Sequence, residues 1–226
     1  MIRNSLLTVL LRDAPEWQDA PVEVVDLPFG PWTLEPSNPF VYFPIDALLT
    51  LSHASAVHDA VDVAVVGQHA CVGPSELWGT TMHAVVIVPG QAYRIDWTQV
   101  KQEPQRYADW LWHTTVVTHG LIEQMAQTAF CVRHHTPVQR LASWLLMASG
   151  QFVGASLRLP LEALPASIFQ RSESRNQTLR TLQALQAMAL EGDSLQVLDA
   201  QRLAAAACRC HTRVTSAVGV PRPRPL

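Results

Sequence analysis

The sequence predicts an α+β protein in which a β-rich N-terminal domain is followed by one long helix and a smaller C-terminal domain. Residues 15–100 contain short runs rich in valine and aromatic residues, separated by prolines and glycines. That pattern is typical of a β-sandwich or small barrel. A helical pattern then extends from Gln105 to Arg133 and is broken by His134-His135-Thr136-Pro137. A second helical segment and, later, a short polar helix with two arginines complete the pattern.

Composition places the chain among globular proteins. Of its 226 residues, 48% are hydrophobic and 15% are charged, which suits two modest domains with ample core. The formal net charge of −3 excludes a global basic field, so contact with nucleic acid needs a local positive patch. The cysteines are too few and too scattered for a disulfide framework, which fits a reducing cytoplasm. They are Cys71, Cys131, Cys208 and Cys210.

The N-terminus predicts a short amphipathic helix and not a signal peptide. Its apolar stretch covers only Leu6 to Leu11 and ends at Arg12-Asp13 without a small-residue cleavage site. No apolar run in the chain approaches the roughly 20 residues that a membrane span needs. We therefore expect no membrane partner.

Six β-prone runs follow, and Val61 to Gly67 is the clearest strand because its glycine closes it. Pro89-Gly90 predicts a turn between two strands. The six runs are Val22–Leu27, Phe40–Phe43, Ala47–Ser52, Val61–Val66, Ala84–Val88 and Ala92–Ile95.

The long helix carries one weakly apolar stripe at alternating spacings of three and four, which is typical of a coiled-coil seam. We expect this stripe to be the interface of a homodimer. The alternative is a helix that packs only on its own β domain, with Trp110 and Trp112 as core residues. A helix of about 28 residues is longer than one small domain needs, which favours the dimer. The predicted interface residues are Leu111, Thr115, Thr118, Ile122, Met125 and Ala129.

A second helix is predicted to begin with Thr136 as N-cap and Pro137 at its first position, and to end at Gly150. The polar helix is predicted to begin at Ser174 as N-cap. Its leucines 179, 182 and 185 are expected to face the core, while Arg175, Asn176 and Arg180 point outward.

This polar helix is the candidate for reading DNA. Arginine can bind guanine through two hydrogen bonds, and asparagine can bind adenine in the same way. Residues 171–190 hold three arginines against one glutamate, so the patch is locally positive. The alternative is an ordinary solvated amphipathic helix. The candidate DNA-binding residues are Arg171, Ser174, Arg175, Asn176, Gln177 and Arg180.

Several segments resemble Crp/Fnr-type transcription regulators. Residues 124–147 resemble the end of that family's dimer helix and its hinge. Residues 41–46 and 63–67 resemble its cyclic-nucleotide-binding-like β-roll, and residues 195–203 resemble its closing strand and final helix. Residues 207–210 are similar to the Ala-Cys-x-Cys ending of one subgroup. Arg175 and Arg180 match the two arginines of the family's Arg-Glu-Thr-Val-x-Arg recognition helix.

The resemblance implies a jelly-roll sensor domain over residues 1–100, and a dimerisation helix and hinge over residues 101–135. It further implies a winged helix-turn-helix over residues 136–215, followed by a disordered tail over residues 216–226. DNA and a second copy of the chain are the implied partners, and RNA polymerase is a further candidate. The implied protein is cytoplasmic and is not an enzyme.

The chain departs from the family's pattern in its DNA-binding region. Asn176 replaces the recognition glutamate, and Arg171–Ser174 stands where the turn glycine belongs. Pro165 falls inside the first helix of the motif. The wing is degraded to the acidic Glu191–Ser194, which would repel phosphates. These changes indicate a different target sequence or a loss of DNA binding.

Ligand signals are mostly negative. Residues 72–84 lack the arginine of the family's phosphate cassette, so we expect no cyclic nucleotide. No cysteine precedes Cys71, which argues against an iron–sulfur sensor with four cysteine ligands. Cys208-Arg-Cys210-His211 has no second pair nearby in the sequence, so buried thiols and no metal are expected there. His134 and His135 are expected to cap the long helix. No cofactor is expected.

Three functions remain open. The first is a homodimeric, sequence-specific DNA-binding regulator that senses an unknown signal through its β-roll. The second is a dimeric sensor or scaffold of the same fold that has lost DNA binding. The third, an enzyme on the β-roll, has neither a nucleophile constellation nor metal-ligand spacing to support it.

Overall fold

The computed structural model describes residues 2–13, 15–32, 38–53, 61–74, 82–152, 156–169 and 172–212. An N-terminal β-roll, a long helix and a C-terminal helical domain with a small sheet follow one another, as predicted. The expected tail, residues 216–226, lies outside the described residues. None of the described helices combines the length and the apolar character that crossing a membrane requires.

The β-roll consists of two antiparallel sheets that enclose one apolar core. Its strands are β1 (Glu23–Leu27), β2 (Gly30–Trp32), β3 (Phe40–Pro44), β4 (Leu48–His53), β5 (Val61–Val66), β6 (Met82–Val88) and β7 (Gly90–Asp96). The order β1-β7-β3 forms one sheet, and β2-β6-β4-β5 forms the other. All six predicted runs are strands. Pro89 does not close a hairpin, because β6 and β7 belong to different sheets and the chain turns a corner between them.

The predicted opening helix, α1 (Ser5–Asp13), closes one end of the β-roll. Its leucines 6, 7 and 10 are fully buried in the core. Asn4 fixes its start, since the side-chain amide donates to the carbonyls of Pro44 and Ala70, both at 3.0 Å. A short helix that the sequence did not predict, α2 (Trp97–Gln102), follows β7 and is capped by the Asp96 carboxylate.

The long helix, α3 (Pro104–His134), extends the predicted element by one residue at each end. Its inner face packs on the β-roll through Trp110, Val117 and Leu121. Trp110 contacts Trp17, Phe43 and Trp97 with ring-centroid distances of 5.3 to 6.3 Å. Trp112, which the alternative interpretation placed in the core, is exposed.

The next helix, α4 (Pro137–Gln151), begins with a capping box as its sequence predicts. The Thr136 hydroxyl accepts from the Gln139 amide, while the Gln139 side chain accepts from the Thr136 amide. The remaining elements are β8 (Arg158–Pro160), α5 (Ser172–Ala184), β9 (Met188–Glu191), β10 (Ser194–Val197) and α6 (Ala200–Ala206). The three strands form one antiparallel sheet in the order β8-β10-β9.

The two domains share a core. Leu48, Val65, Ile87 and Val88 point outward from the four-stranded sheet of the β-roll, yet each is at most 8% exposed. They belong to one apolar cluster with Leu141, Trp144 and Leu145 of α4 and with residues of the C-terminal sheet. Both faces of that sheet are therefore covered, one by the interior of the β-roll and the other by the C-terminal domain.

Candidate nucleic-acid interface

Helix α5 presents a polar face to solvent and an anchored face to the core. Thr178, Leu179 and Leu182 are buried. Asn176, Gln177 and Arg180 are exposed, and together with Thr181 and Ala184 they line one shallow surface depression. Three of the predicted DNA-binding residues thus share one accessible face.

Two details of this helix differ from the prediction. The helix begins at Ser172, so Ser174 lies inside it and is not its N-cap. Leu185 is 48% exposed, because the helix ends at Ala184 and the chain turns at Gln186 with a φ of 52°. The predicted residue Arg171 lies outside the described residues.

Arg175 has a different environment from Arg180. Its guanidinium group donates to the carbonyl oxygen of Leu161 and stands 5.9 Å from the centre of the Phe169 ring. Arg175 is half-buried, whereas Arg180 is exposed. In this structure Arg175 ties α5 to the segment before it, and Arg180 is the arginine presented to solvent.

The segment before α5 contains no α-helix among its described residues. Two 3₁₀ turns, Leu161–Ala163 and Ala166–Ile168, stand where the first helix of a helix-turn-helix is expected. Pro165 separates them, because proline lacks the amide hydrogen that a continuous helix would use there. Ile168 and Leu164 are nevertheless buried in the C-terminal core, so the turns keep the packing role of the missing helix.

The hairpin between β9 and β10 has the position of a wing and is short. Glu191 pairs with Ser194 across a two-residue turn, and Gly192 in that turn has a φ of +57°. Arg158 of β8 forms an ion pair with Glu191, which neutralises part of the acidic charge. Asp193 accepts from the Leu161 amide through its backbone carbonyl at 2.7 Å, so the turn also holds the segment before α5.

The predicted dimer stripe lies on the outer face of α3. Leu111 is 45% exposed and Ile122 is 57% exposed. Thr115, Thr118 and Ala129 are exposed as well, and Met125 is half-buried. The centre of the stripe lies roughly a third of a turn around α3 from the face that packs on the β-roll, so most of its residues remain accessible to a second chain.

A cavity of about 320 Å³ lies between α3 and the interior of the β-roll. Its described lining residues carry no charge. They are Leu51, Cys71, Gly73, Met82, Trp110, Thr114, Val117, Thr118, Leu121, Ile122 and Met125. Thr118, Ile122 and Met125 belong to the dimer stripe too, so the wall of the cavity and the stripe are the same stretch of helix.

The overall architecture matches solved structures of transcriptional regulators. A CRP/FNR-family transcriptional regulator from Thermus thermophilus superposes with a TM-score of 0.55 at 15% identity, covering 87% of this chain and 100% of that chain. FixK2 from Bradyrhizobium japonicum gives 0.56 at 14% identity, with 84% and 98% covered. A CooA variant from Carboxydothermus hydrogenoformans gives 0.52 at 11% identity, with 81% and 87% covered.

No protein-family model matches the sequence, and no curated protein matches it either. The likeness therefore rests on structure. It covers the β-roll, the long helix and the C-terminal domain, and these elements follow in the order that the sequence predicted. This chain has the fold of the Crp/Fnr-type transcription regulators.

Proposed function

We propose that this protein is a homodimeric, sequence-specific DNA-binding transcription regulator of the cytoplasm. The observation that carries the proposal is the exposed face of α5, where Asn176, Gln177 and Arg180 stand side by side on a helix anchored from behind. Amide and guanidinium groups are the groups that recognise adenine and guanine in the major groove. A rigid helix with such a face is suited to insertion in that groove.

Dimerisation through α3 would provide a second copy of α5 for a second DNA half-site. Two chains joined along the stripe from Leu111 to Ala129 would present two copies of α5. Helix-turn-helix dimers bind half-sites about 34 Å apart, one helical turn of DNA. We therefore expect the target to be a palindrome or near-palindrome.

The signal enters, in this proposal, through the uncharged cavity behind α3. A cyclic phosphate would find no charged partner among the described lining residues, and unpaired charge is costly to bury. The cavity suits a small apolar or weakly polar molecule. Because its wall includes Thr118 and Ile122, an occupant would act directly on the helix that pairs the subunits.

A second function, a dimeric scaffold that does not bind DNA, is favoured by the turn at residues 192–193. Asp193 is exposed in the turn of this hairpin, and its negative charge would repel the phosphates of DNA. The two functions share one fold, so only binding can separate them.

The deciding experiment is fluorescence anisotropy of the full-length protein with a pool of fragments from its own genome, titrated with salt. A regulator gives saturable binding to a subset of fragments, and log K falls linearly with log salt as phosphates are neutralised. The titration is repeated after the protein is incubated with small apolar metabolites, because an empty sensor can hold its reading helices out of register.

Two variants sharpen the result. Arg180→Ala should lose discrimination among fragments, and Arg3→Ala, which removes the same charge from an exposed position on the β-roll, should keep it. Absence of selective binding by an intact dimer under every condition would reject the regulator and leave the scaffold.

A further inference from the structure

Four metal-ligating side chains from two distant parts of the chain meet at the hinge between α3 and α4. Cys131 and His135 come from the end of α3, and Cys208 and Cys210 follow α6. Their ligand atoms all lie within 4.8 Å of one another. Along the sequence only the Cys-x-Cys pair is adjacent, and the fold brings Cys131 and His135 to it as the second pair.

The spacing of these atoms fits one tetrahedral ion. The Sγ atoms of Cys131 and Cys208 are 3.7 Å apart, and Sγ of Cys210 is 3.4 Å from Nε2 of His135. Around zinc, with Zn–S near 2.3 Å and Zn–N near 2.0–2.1 Å, the ligands stand about 3.8 Å apart between sulfurs and about 3.6 Å apart between sulfur and nitrogen. The two separations are close to the edges of such a tetrahedron.

Two neighbouring polar side chains contact the sulfurs. The Ser143 hydroxyl lies 3.1 Å from Sγ of Cys208, and the Gln127 amide donates to Sγ of Cys131 at 3.5 Å. Hydrogen bonds of this kind orient and tune the thiolates of a metal centre. Cys131 and Cys208 are buried while Cys210 and His135 are half-buried, so an ion can enter from the His135 side and remain enclosed.

A buried cation nearby fits the charge of such a centre. Arg140 is 5% exposed and lines one cavity with Cys131 and Cys210. Its Nε finds no hydrogen-bond acceptor among the described residues. Three thiolates, a neutral imidazole and a zinc ion sum to one negative charge, which would compensate the guanidinium. Burying that guanidinium without a negative partner would be costly.

We infer that Cys131, His135, Cys208 and Cys210 form a Cys₃His site for one thiophilic metal ion, zinc being the best fit. Three sulfurs and one imidazole select zinc over the oxygen-preferring magnesium and calcium. The ligand atoms all lie within 4.8 Å of one another, which suits one ion, whereas an iron–sulfur cluster distributes its ligands over several irons. The site would fasten the end of the C-terminal domain to the end of α3. The inference does not depend on DNA binding.

Metal content of the full-length protein tests the inference. Protein reduced with a phosphine is loaded with zinc, passed over a desalting column and assayed for zinc by mass spectrometry, with cobalt as a spectroscopic probe. One zinc per chain and the absorption bands of tetrahedral, thiolate-bound cobalt are expected. Zinc should also raise Tm, and a chelator should reverse that rise.

Matched variants identify the ligands. Cys210→Ser and His135→Gln, both at half-buried positions, should weaken metal binding roughly tenfold or more and abolish the zinc-dependent rise in Tm. His134→Gln, the exposed neighbour of His135, and Cys71→Ala, a thiol buried in the β-roll, should retain one zinc per chain. His211→Gln separates the roles of the two histidines, because His211 bonds to the Cys208 carbonyl at 2.7 Å and should also retain the ion.

Three results would overturn the inference. One is the absence of retained zinc and of cobalt–thiolate absorption from folded protein with four titratable thiols. Another is equal metal content in Cys210→Ser, His135→Gln and the wild type. The third is a Cys131–Cys208 disulfide that persists under the reductant, which would make the pair a covalent link in place of a metal site.

Discussion

Gly67 at the end of β5 and Gln151 at the end of α4 touch backbone to backbone. A Cβ atom added to Gly67 would lie 2.1 Å from the carbonyl oxygen of Gln151. The amide of the next residue, Gln68, donates to that same oxygen at 3.0 Å. The β-roll and the C-terminal domain are thus joined at a point that only glycine fits.

Gly67→Ala should therefore destabilise the protein by about 1–3 kcal/mol, the usual cost of forcing extra volume into a packed site. Urea denaturation measures the change. Gly150→Ala is the matched control, because an added Cβ there meets no atom within 4 Å and alanine favours the helix. Equal stability of the two variants would contradict the close contact.

Arg175 and Arg180 should separate into a structural role and a reading role. Arg175→Ala removes the hydrogen bond to the Leu161 carbonyl and the contact with Phe169, so it should lower the free energy of unfolding by about 1 kcal/mol. Arg180→Ala should leave stability unchanged and weaken binding to the preferred DNA about 5- to 150-fold. Thermal melts measure stability and anisotropy measures DNA binding in both variants. If Arg180→Ala lost stability and Arg175→Ala lost only DNA binding, the two roles would have to be exchanged.

The outer face of α3 should control the oligomeric state. Ile122→Glu places a charge in the middle of the stripe and should convert a dimer to a monomer, since a charge is costly to bury in an apolar seam. Analytical ultracentrifugation reports the mass. His119→Glu introduces the same side chain at an exposed position, about a quarter turn from the centre of the stripe, and should leave the dimer intact. If the wild type were a monomer at micromolar concentration, the predicted dimer interface would be wrong.

Stability should fall as the pH drops below about 6.5, the ordinary pKa of histidine. Burial lowers the pKa of His69, whose Nδ1 lies 2.9 Å from the Ser5 hydroxyl. The unfolded chain then binds a proton more readily than the folded one, so the contribution of His69 is complete above about pH 6.5 and declines below it. Unfolding of the wild type and of His69→Gln at about pH 7.5 and 5.5, on either side of that value, isolates this contribution. An identical pH dependence in both proteins would contradict it.

Periodicity was enough to predict most elements, because each depends on neighbours within a few residues. Thr136-Pro137 determined the start of α4 locally, and the capping box is present. The sequence missed β2, whose three residues include Pro31, a residue that usually marks a turn. It placed Leu185 inward because regular spacing says nothing of where a helix ends.

Contacts between residues far apart in the chain could not be predicted from the sequence. Cys131 and Cys208 are 77 residues apart in the chain, and their meeting depends on how α3, α4 and α6 pack. The four-residue spacing of Cys131 and His135 was the available signal, because it places two ligands on one side of a helix end. The sequence also assigned Arg175 and Arg180 the same DNA-binding role. Nothing in the neighbouring residues shows that the Arg175 guanidinium reaches the Leu161 carbonyl.

The apolar cluster shared by the two domains has a thermodynamic consequence. Leu48, Val65, Ile87 and Val88 can be shielded from water only while the C-terminal domain stays docked. The two halves should then melt in one calorimetric transition, and a molecule that binds in the β-roll cavity would stabilise the reading helix by linkage even though it never touches it. Ligand binding in the β-roll can thus affect the DNA-binding domain through the free energy of unfolding that the two domains share.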